Sequence, residues 1–349
     1  MDARFLRRTS SGRPDEFGTI FAPDPDWLSL TPPEPFKLDI PVVDAHHHLW
    51  NLPGYDYTPH ELLADLDQVP AMAGTVYVEC ASHYRTNGPA EFRPVGETEH
   101  VVALTAAAGD PRIAAAIVGF ADLDLGDAVA PVLEAHVQAG EGRFRGIRFG
   151  TGWDASPKIQ NTQTGRRPGM LREETIHAGA RRLAALDLSL DVWLFHHQLG
   201  DVATLADAVP DLRIVLDHCG GPLGYGPYAD DRAGNFALWR AGLREVAARP
   251  NVVCKIGGLL ARGAAFDYLT ATRPPSSQEL ATIWRPWVET CIEEFGADRC
   301  LFESNFPVDK MGVSYGLLWN CYHLLTKEAS DGERRRLFAE SARGVYRLA

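Results

Sequence analysis

The sequence lacks both the long apolar segments of a membrane protein and the paired cysteines of a secreted one. None of its apolar runs approaches the roughly 18 residues that a membrane-spanning helix needs. Its six cysteines stand far apart and form no C-x-x-C pair, which argues against a disulfide framework or a zinc knuckle. The polar segment 1–20 has no apolar stretch of the secretory type. We therefore expect a cytoplasmic protein with no membrane partner.

Positive charge is scarce as well. The chain has 34 Lys and Arg against 46 Asp and Glu, a formal net charge of −12. Such a surface repels the phosphates of nucleic acids and of anionic lipids, so we expect neither as a partner. A small-molecule substrate is compatible with this charge because a pocket can be locally positive. A homo-oligomer is compatible with it too.

Phosphate-binding motifs are also missing. The sequence contains no G-x-G-x-x-G after its first strand candidate and no G-x-x-x-x-G-K-[ST]. The glycine-rich residues 220–224 include a proline and predict a turn. These absences argue against the main competing fold, an open α/β sheet with a nucleotide site.

Short apolar runs alternate with longer amphipathic stretches from residue 40 onward. Eight runs rich in Val, Ile, Leu and Phe predict strands that are buried on both faces. They cover residues 40–44, 74–80, 113–120, 146–149, 188–195, 212–217, 252–256 and 300–303. Helical spacing predicts helices between them, including 171–186, 199–209, 235–248, 277–295 and a last one at 332–348.

This alternation predicts an α/β fold of the (β/α)₈ TIM-barrel type. The barrel should occupy residues 39–349 as one catalytic domain. Residues 1–38 have little periodicity and many prolines, so they predict an extended N-terminal arm.

Histidines follow the apolar runs at the strand ends where TIM barrels hold their active sites. The first strand ends in His46-His47-His48, the fifth runs into His196 and the sixth into His218. Alternate residues of a strand share a face, so His46 and His48 should point together and His47 away. With His196 they would offer a divalent ion three nitrogens and leave one position open for water. A lone histidine is more often structural, but core packing alone seldom places histidines at this many strand ends.

Other side chains at the strand ends have two interpretations. Arg148 ends the fourth strand, where it could form a salt bridge beneath a loop or clamp a substrate carboxylate. Lys255 lies in an apolar strand, where it could pair with a buried carboxylate or polarise a substrate carbonyl. Glu79 ends the second strand and Trp50 follows the first, and we count both as candidate substrate-binding residues.

Three motifs resemble the amidohydrolase superfamily: DAHHHLW at residues 44–50, LDHCGGP at 216–222 and LFESNFP at 301–307. They resemble in particular its branch of lactonases and related decarboxylases, which includes 2-pyrone-4,6-dicarboxylate lactonase, fuconolactonase and sulfomuconolactone hydrolase. The similarity runs from about residue 40 to the C-terminus, with the motifs in barrel order. It implies an amidohydrolase-type barrel in which His46, His48, His196 and His218 match the family's histidines.

The sequence departs from the family pattern at two strands. Residues 143–150 of the fourth strand contain no lysine that could bridge two metals. We therefore expect at most one divalent ion and name zinc as the first candidate. Asn305 stands where the family places an aspartate that binds metal or accepts a proton from water. An amide oxygen can orient water or weakly coordinate a cation, but it cannot act as a general base near neutral pH.

Three alternatives could replace the missing base. A metal on His46, His48 and His196 could lower the pKa of its water enough for a weaker acceptor. His218 could be the base. A nearby carboxylate could also serve: Glu303 first, since alternation places it on the face of Asn305, then Asp309 or Glu79. Some members of this branch work without metal by using the aspartate. Its absence favours a metal here, with metal-independent catalysis as the alternative.

The resemblance implies hydrolysis of a small organic ester, foremost a lactone that carries a carboxylate. His218, Asn305 and Glu303 are the candidate catalytic residues. The alternatives are non-oxidative decarboxylation of a hydroxybenzoate-like acid, amide hydrolysis, and a barrel that binds a ligand without turnover.

Overall fold

The computed structural model describes residues 17–36, 38–159 and 166–348. Residues 1–16 and Lys37 of the predicted arm lie outside the described residues. Within the described ranges, no helix combines the length and the apolar character needed to cross a membrane.

Eight parallel strands form one sheet whose first and last strands meet, as in a (β/α)₈ barrel. In sheet order they are β1 (Val42–His47), β4 (Met72–Val78), β5 (Ala116–Gly119), β6 (Phe144–Gly150), β7 (Ser189–Trp193), β8 (Ile214–Leu216), β9 (Val252–Ile256) and β10 (Cys300–Phe302). A parallel bridge between His47 and Phe306 joins the two ends of the sheet. The hydrogen bond from the His48 N–H to the Phe306 carbonyl, at 2.8 Å, supports that closure. The predicted TIM barrel is confirmed. The remaining strands, β2 (Trp50–Leu52) and β3 (Tyr55–Tyr57), form a separate antiparallel pair.

Helices alternate with the barrel strands. They are α1 (Pro25–Ser29), α2 (Pro59–Leu66), α3 (Val95–Ala108), α4 (Ala130–Ala139), α5 (Glu174–Ala185), α6 (Leu199–Ala208), α7 (Arg232–Ala247), α8 (Ser277–Phe295), α9 (Tyr315–Leu325), α10 (Asp331–Arg335) and α11 (Ser341–Tyr346). The last predicted helix, 332–348, is divided: a π-helical segment, Arg336–Glu340, separates α10 from α11.

Helix α8 shows how the sequence produces one of these elements. A capping box begins it, because the Ser276 side chain accepts from the Glu279 N–H while the Glu279 carboxylate accepts from the Ser276 N–H. Trp284, Val288 and Phe295 recur at helical spacing and are all buried. This apolar stripe packs the helix against the outside of the sheet.

The lower end of the barrel is closed by the C-terminal helix. Val43, Val76 and Val253 of the strands form one apolar cluster with Ala342 and Val345 of α11. The opposite end, where the strands finish, is therefore left to the polar side chains.

The described part of the arm packs on the loops at that upper end. The Gly18 N–H donates to the Ala261 carbonyl at 2.8 Å, and the Trp27 indole N–H donates to the Ala271 carbonyl at 3.1 Å. The Phe17 ring meets Tyr268 edge-on, with 4.9 Å between ring centroids. Residues 17–36 thus contribute to the surroundings of the candidate site.

Candidate active site

His46 and His48 face each other at the upper end of the barrel. Their Nε2 atoms are 3.2 Å apart. The pairing of β1 with β4 is irregular between Asp44 and His47. As a result, the His46 ring points into the barrel although the residue before it, Ala45, also packs in the apolar cluster with Val43. The Nδ1 atom of His48 lies 2.8 Å from the Val78 carbonyl, which can only accept. Nδ1 therefore carries the proton and Nε2 offers its lone pair, as in a metal-binding histidine.

Glu303 links two imidazoles. Its Oε1 lies 2.7 Å from Nδ1 of His218, and its Oε2 lies 3.1 Å from Nδ1 of His46. Burial alone would raise the pKa of Glu303, but His218 and His46 lower it to about 2. Burial would likewise lower the pKa of His218, yet Glu303 raises it above its usual value. Glu303 is therefore a fixed negative charge that orients His218, and it is a weak proton acceptor.

The two glycines after β9 make room for this pair. A Cβ on Gly257 would lie 2.5 Å from Cγ of Glu303. A Cβ on Gly258, whose φ is +63°, would lie 2.4 Å from Nδ1 of His218. Any side chain at these positions would displace the pair.

Lys255 lies below the histidines in a buried ion-pair network. Its Nζ is 2.7 Å from Oδ2 of Asp191 and 3.1 Å from Oδ1 of Asp217, and it is 3.2 Å from Nδ1 of His46. Burial would lower the pKa of Lys255, but the two carboxylates raise it. The Tyr346 hydroxyl donates to the same Asp191 oxygen at 2.7 Å. Of the two alternatives for Lys255, this geometry matches the ion pair.

His46, Asp217 and His218 form a group that could hold a metal ion, with one ligand atom from each within 4.8 Å of the others. In the described part of the chain, neither Asp217 oxygen accepts a hydrogen bond, although Lys255 is close, and Oε2 of Glu303 accepts none either. Buried carboxylate oxygens in this state favour a cation beside them, and Lys255, 3.1 Å from Oδ1 of Asp217, already supplies one such charge. Two imidazoles and a carboxylate suit one divalent ion of the zinc type. Asp217 was missed from the sequence, although it directly precedes His218 where an apolar run ends.

His196, predicted as the third metal ligand, has a different environment. Its Nδ1 accepts from the Leu223 N–H at 3.3 Å, so in the neutral ring Nε2 carries the proton. Burial lowers the pKa of His196 to about 4, which keeps the ring neutral. Nε2 is buried and has no hydrogen-bond partner among the described residues. His196 is thus arranged as a donor, and the predicted set of His46, His48 and His196 stays a prediction.

Arg148 is paired with Glu79. Its Nε donates to Oε1 at 2.8 Å, and its guanidinium also donates to the Glu79 carbonyl. The second oxygen of Glu79 accepts from the Ala81 N–H at 3.1 Å. This matches the salt bridge rather than the substrate clamp. The buried Trp50 stacks on His48 with 5.9 Å between ring centroids and supports that imidazole.

Asn305 contacts Asp309 through its side chain. Its φ of +55° ends the strand alternation, and its backbone N–H donates to the His46 carbonyl at 2.9 Å. Its side-chain Nδ2 donates to Oδ1 of Asp309 at 3.2 Å. Burial raises the pKa of Asp309 to about 7, with Glu303 adding to the rise and His218 opposing it. Within the described ranges, Oδ2 of Asp309 has no hydrogen-bond partner. A carboxyl group able to exchange a proton near neutral pH therefore lies beside Asn305.

Comparison with known proteins gives one consistent result. The amidohydrolase family model matches residues 43–348. Uncharacterized protein y4mH of Sinorhizobium fredii is 32% identical over 327 residues, which cover 89% of this chain and 99% of that protein. An L-fucono-1,5-lactonase of Burkholderia ambifaria is 26% identical over 327 residues, 88% of this chain and 95% of the lactonase. The crystal structure of a Burkholderia multivorans amidohydrolase with bound zinc matches with a TM-score of 0.67 at 27% identity, over 88% of this chain and 100% of that one.

Proposed function

This chain belongs to the amidohydrolase family, and from that membership we propose that it hydrolyses a lactone by attack of water on the ring carbonyl. The family and the hydrolase class predicted from the three motifs are confirmed. The lactone is supported by the similarity to L-fucono-1,5-lactonases. The observation that carries the proposal is the group of His46, Asp217 and His218 at the barrel mouth, with Asp309 nearby.

We assign His46, Asp217 and His218 to a single divalent ion. Such an ion, when bound, supplies a water of lowered pKa and polarises a carbonyl. Glu303 keeps the proton of His218 on Nδ1, so the lone pair of Nε2 is available at the mouth. The nearby Lys255–Asp191 pair lies within the same buried charge network and fixes the carboxylate of Asp217.

Asp309 is our candidate for the proton acceptor. The sequence analysis ranked Glu303 first among the carboxylates that could act as the base, but its pKa of about 2 makes it a poor base. Asp309 has a pKa of about 7 and one carboxylate oxygen without a hydrogen bond among the described residues. Asn305 orients the other oxygen. The Nε2–H of His196 is available to donate to the oxygen on which negative charge develops.

A second acceptor, His218, is favoured by its bond to Glu303, which raises the pKa of His218. In that version no ion is needed, and a carboxylate–imidazole pair activates the water directly. The metal content of the active protein distinguishes the two versions.

The test measures bound metal and lactone hydrolysis on the same samples. We expect about one divalent ion per chain and acid release from L-fucono-1,5-lactone or another member of a lactone panel. His46→Ala should lose both the ion and turnover. Asp309→Asn should keep the ion and lose about 10²- to 10⁴-fold in turnover. Full turnover in His46→Ala would refute the site, and full turnover in Asp309→Asn would refute the acceptor. Carbon dioxide released in place of acid would indicate the decarboxylase instead.

A further inference from the structure

We infer that the arm segment 17–21 positions Asp309 for the reaction, with Phe21 as the positioning residue. The inference rests on the proposed lactone hydrolysis, in which Asp309 accepts the proton. It concerns a part of the chain that lies before residues 43–348, the segment that the family model matches. The sequence predicted an extended arm there and assigned none of its residues to the site.

The turn that carries Asp309 has little structure of its own. It is a single 3₁₀ turn, Asp309–Met311, closed by a hydrogen bond from the Gly312 N–H to the Asp309 carbonyl at 3.1 Å. Hydrogen bonds of this kind have poorer geometry than those of an α-helix, and a first helical turn fixes several residues for one bond. Such a turn therefore depends on its neighbours to keep one position.

Phe21 contacts this turn from the arm. Its ring forms a buried cluster with Met311 and Ala261, and Val308 packs against the same cluster. Its backbone N–H donates to Sδ of Met311 at 3.0 Å. Val308 and Met311 lie on either side of Asp309 in the chain. Packing of Phe21 against both of them therefore fixes how the Asp309 carboxyl enters the site.

Gly18 allows the arm to lie this close. Its N–H donates to the Ala261 carbonyl at 2.8 Å. Its φ is +82°, and a Cβ there would lie 2.4 Å from the hydroxyl oxygen of Tyr225, so the position favours glycine. Burial raises the pKa of Asp309, and the N–H of Leu260, the residue before Ala261, opposes the rise. The loop after β9 thus borders both the arm and the Asp309 carboxyl.

Asp309 is also connected with the candidate metal group. Asn305 donates its Nδ2–H to Oδ1 of Asp309 at 3.2 Å and its backbone N–H to the His46 carbonyl at 2.9 Å. A shift of the turn would therefore move the proton acceptor relative to the histidines. A misplacement of about 1 Å, caused by a residue far from the chemistry, can cost about 10²-fold in rate. Phe21 acts through the turn and is for that reason a positioning residue.

The test measures kcat and KM of the full-length chain with L-fucono-1,5-lactone, or with the panel lactone that the wild type hydrolyses fastest. Phe21→Ala should lower kcat about 10- to 100-fold and change KM little, because the acceptor is misplaced. Phe21→Leu fills most of the same space and should recover most of the loss. In an Asp309→Asn background, Phe21→Ala should lower kcat by about 2-fold or less, because no acceptor is left to misplace. Backbone hydrogen exchange of residues 305–312 should be faster in Phe21→Ala.

Phe295→Ala is the matched control, because it removes another buried phenyl ring, at the end of α8 that leads to β10. It should cost stability but leave kcat and the exchange of residues 305–312 unchanged. If Phe21→Ala does not fold, Gly18→Ala displaces the arm without opening a cavity and should lower kcat in the same way. Its control is Gly142→Ala, which also has a φ of +82° but open space around its Cβ.

The inference is overturned if Phe21→Ala lowers kcat equally in the wild type and in Asp309→Asn. Unchanged kcat and exchange in the folded arm variants would overturn it too. A wild type that hydrolyses no lactone overturns the proposed reaction. In that case, faster exchange of residues 305–312 in Phe21→Ala but not in Phe295→Ala leaves the positioning of the turn standing, and unchanged exchange overturns both.

Discussion

Replacing Lys255 by methionine tests whether this lysine stabilises the fold or acts on the substrate. Lys255 is fully buried, and its ammonium group lies within 3.1 Å of two buried carboxylates. Methionine fills much of the same volume but leaves Asp191 and Asp217 without their cation. Breaking a buried pair by removing one partner costs about 3–5 kcal/mol. We expect the free energy of unfolding to fall by that amount at pH 8.

The pH dependence of this loss has a definite sign. Burial raises the pKa of Asp191 to about 6 even with Lys255 present, and without the lysine that pKa rises further. A carboxyl group whose pKa is higher in the folded state than in the unfolded chain is destabilising above its folded pKa. Protonation relieves the cost as the pH falls. The difference between Lys255→Met and wild type should therefore shrink from pH 8 to pH 5.

Urea unfolding followed by tryptophan fluorescence measures these differences, with Lys327→Met as the exposed control, expected within about 0.5 kcal/mol of wild type. Adding Asp191→Asn to Lys255→Met should cost less than the sum of the single changes, with a coupling of about 0.5–3 kcal/mol. A Lys255→Met protein as stable as the control but without turnover would refute the reasoning. It would restore the alternative in which Lys255 polarises a substrate carbonyl.

Three further changes test other parts of the site. Glu303→Gln removes the charge that orients His218, so metal affinity or turnover should fall about 10- to 100-fold; unchanged values of both would contradict that role. Burial lowers the pKa of His47 to about 4, so the unfolded chain takes up a proton first as the pH falls below 6.5. Between pH 7 and pH 5, the wild type should therefore lose about 2 kcal/mol more of its free energy of unfolding than His47→Gln does, as urea unfolding would show. Gly258→Ala should reduce turnover because its Cβ would collide with His218, whereas Gly142→Ala, also at positive φ but with open space around it, should lose only stability; equal turnover in the two variants would contradict this.

The barrel could be predicted from the sequence because its signals are local. Each strand is a short apolar run, and each run is followed by polar residues, so both the fold class and the end of the barrel that holds the site follow from the chain itself. The bounds were less accurate. The run at 113–120 forms a strand only at Ala116–Gly119, because a strand ends where its neighbours no longer pair with it. The segment 332–348 is periodic as a helix should be, yet a π-helical segment divides it.

The partners of the site residues were decided by the tertiary structure. The sequence placed Glu303, Arg148 and Lys255 at the barrel mouth but could not say which charge each would meet. Those pairs join strands far apart in the chain, as in the 2.7 Å contact between Glu303 and His218, and their distances depend on how the sheet closes.

Two local departures from strand geometry changed the directions of side chains as well. Alternation places His46 and His48 on one side of β1, as observed, but the irregular register between Asp44 and His47 lets Ala45 point inward as well. The positive φ of Asn305 turns its amide to Asp309. Period-two alternation cannot predict either departure, because the first depends on the pairing of β1 with β4 and the second on the backbone conformation after β10. The sequence by itself therefore determined the fold and the histidines of the site. Only the folded barrel decided that Asp217 joins His46 and His218, and that Arg148 pairs with Glu79.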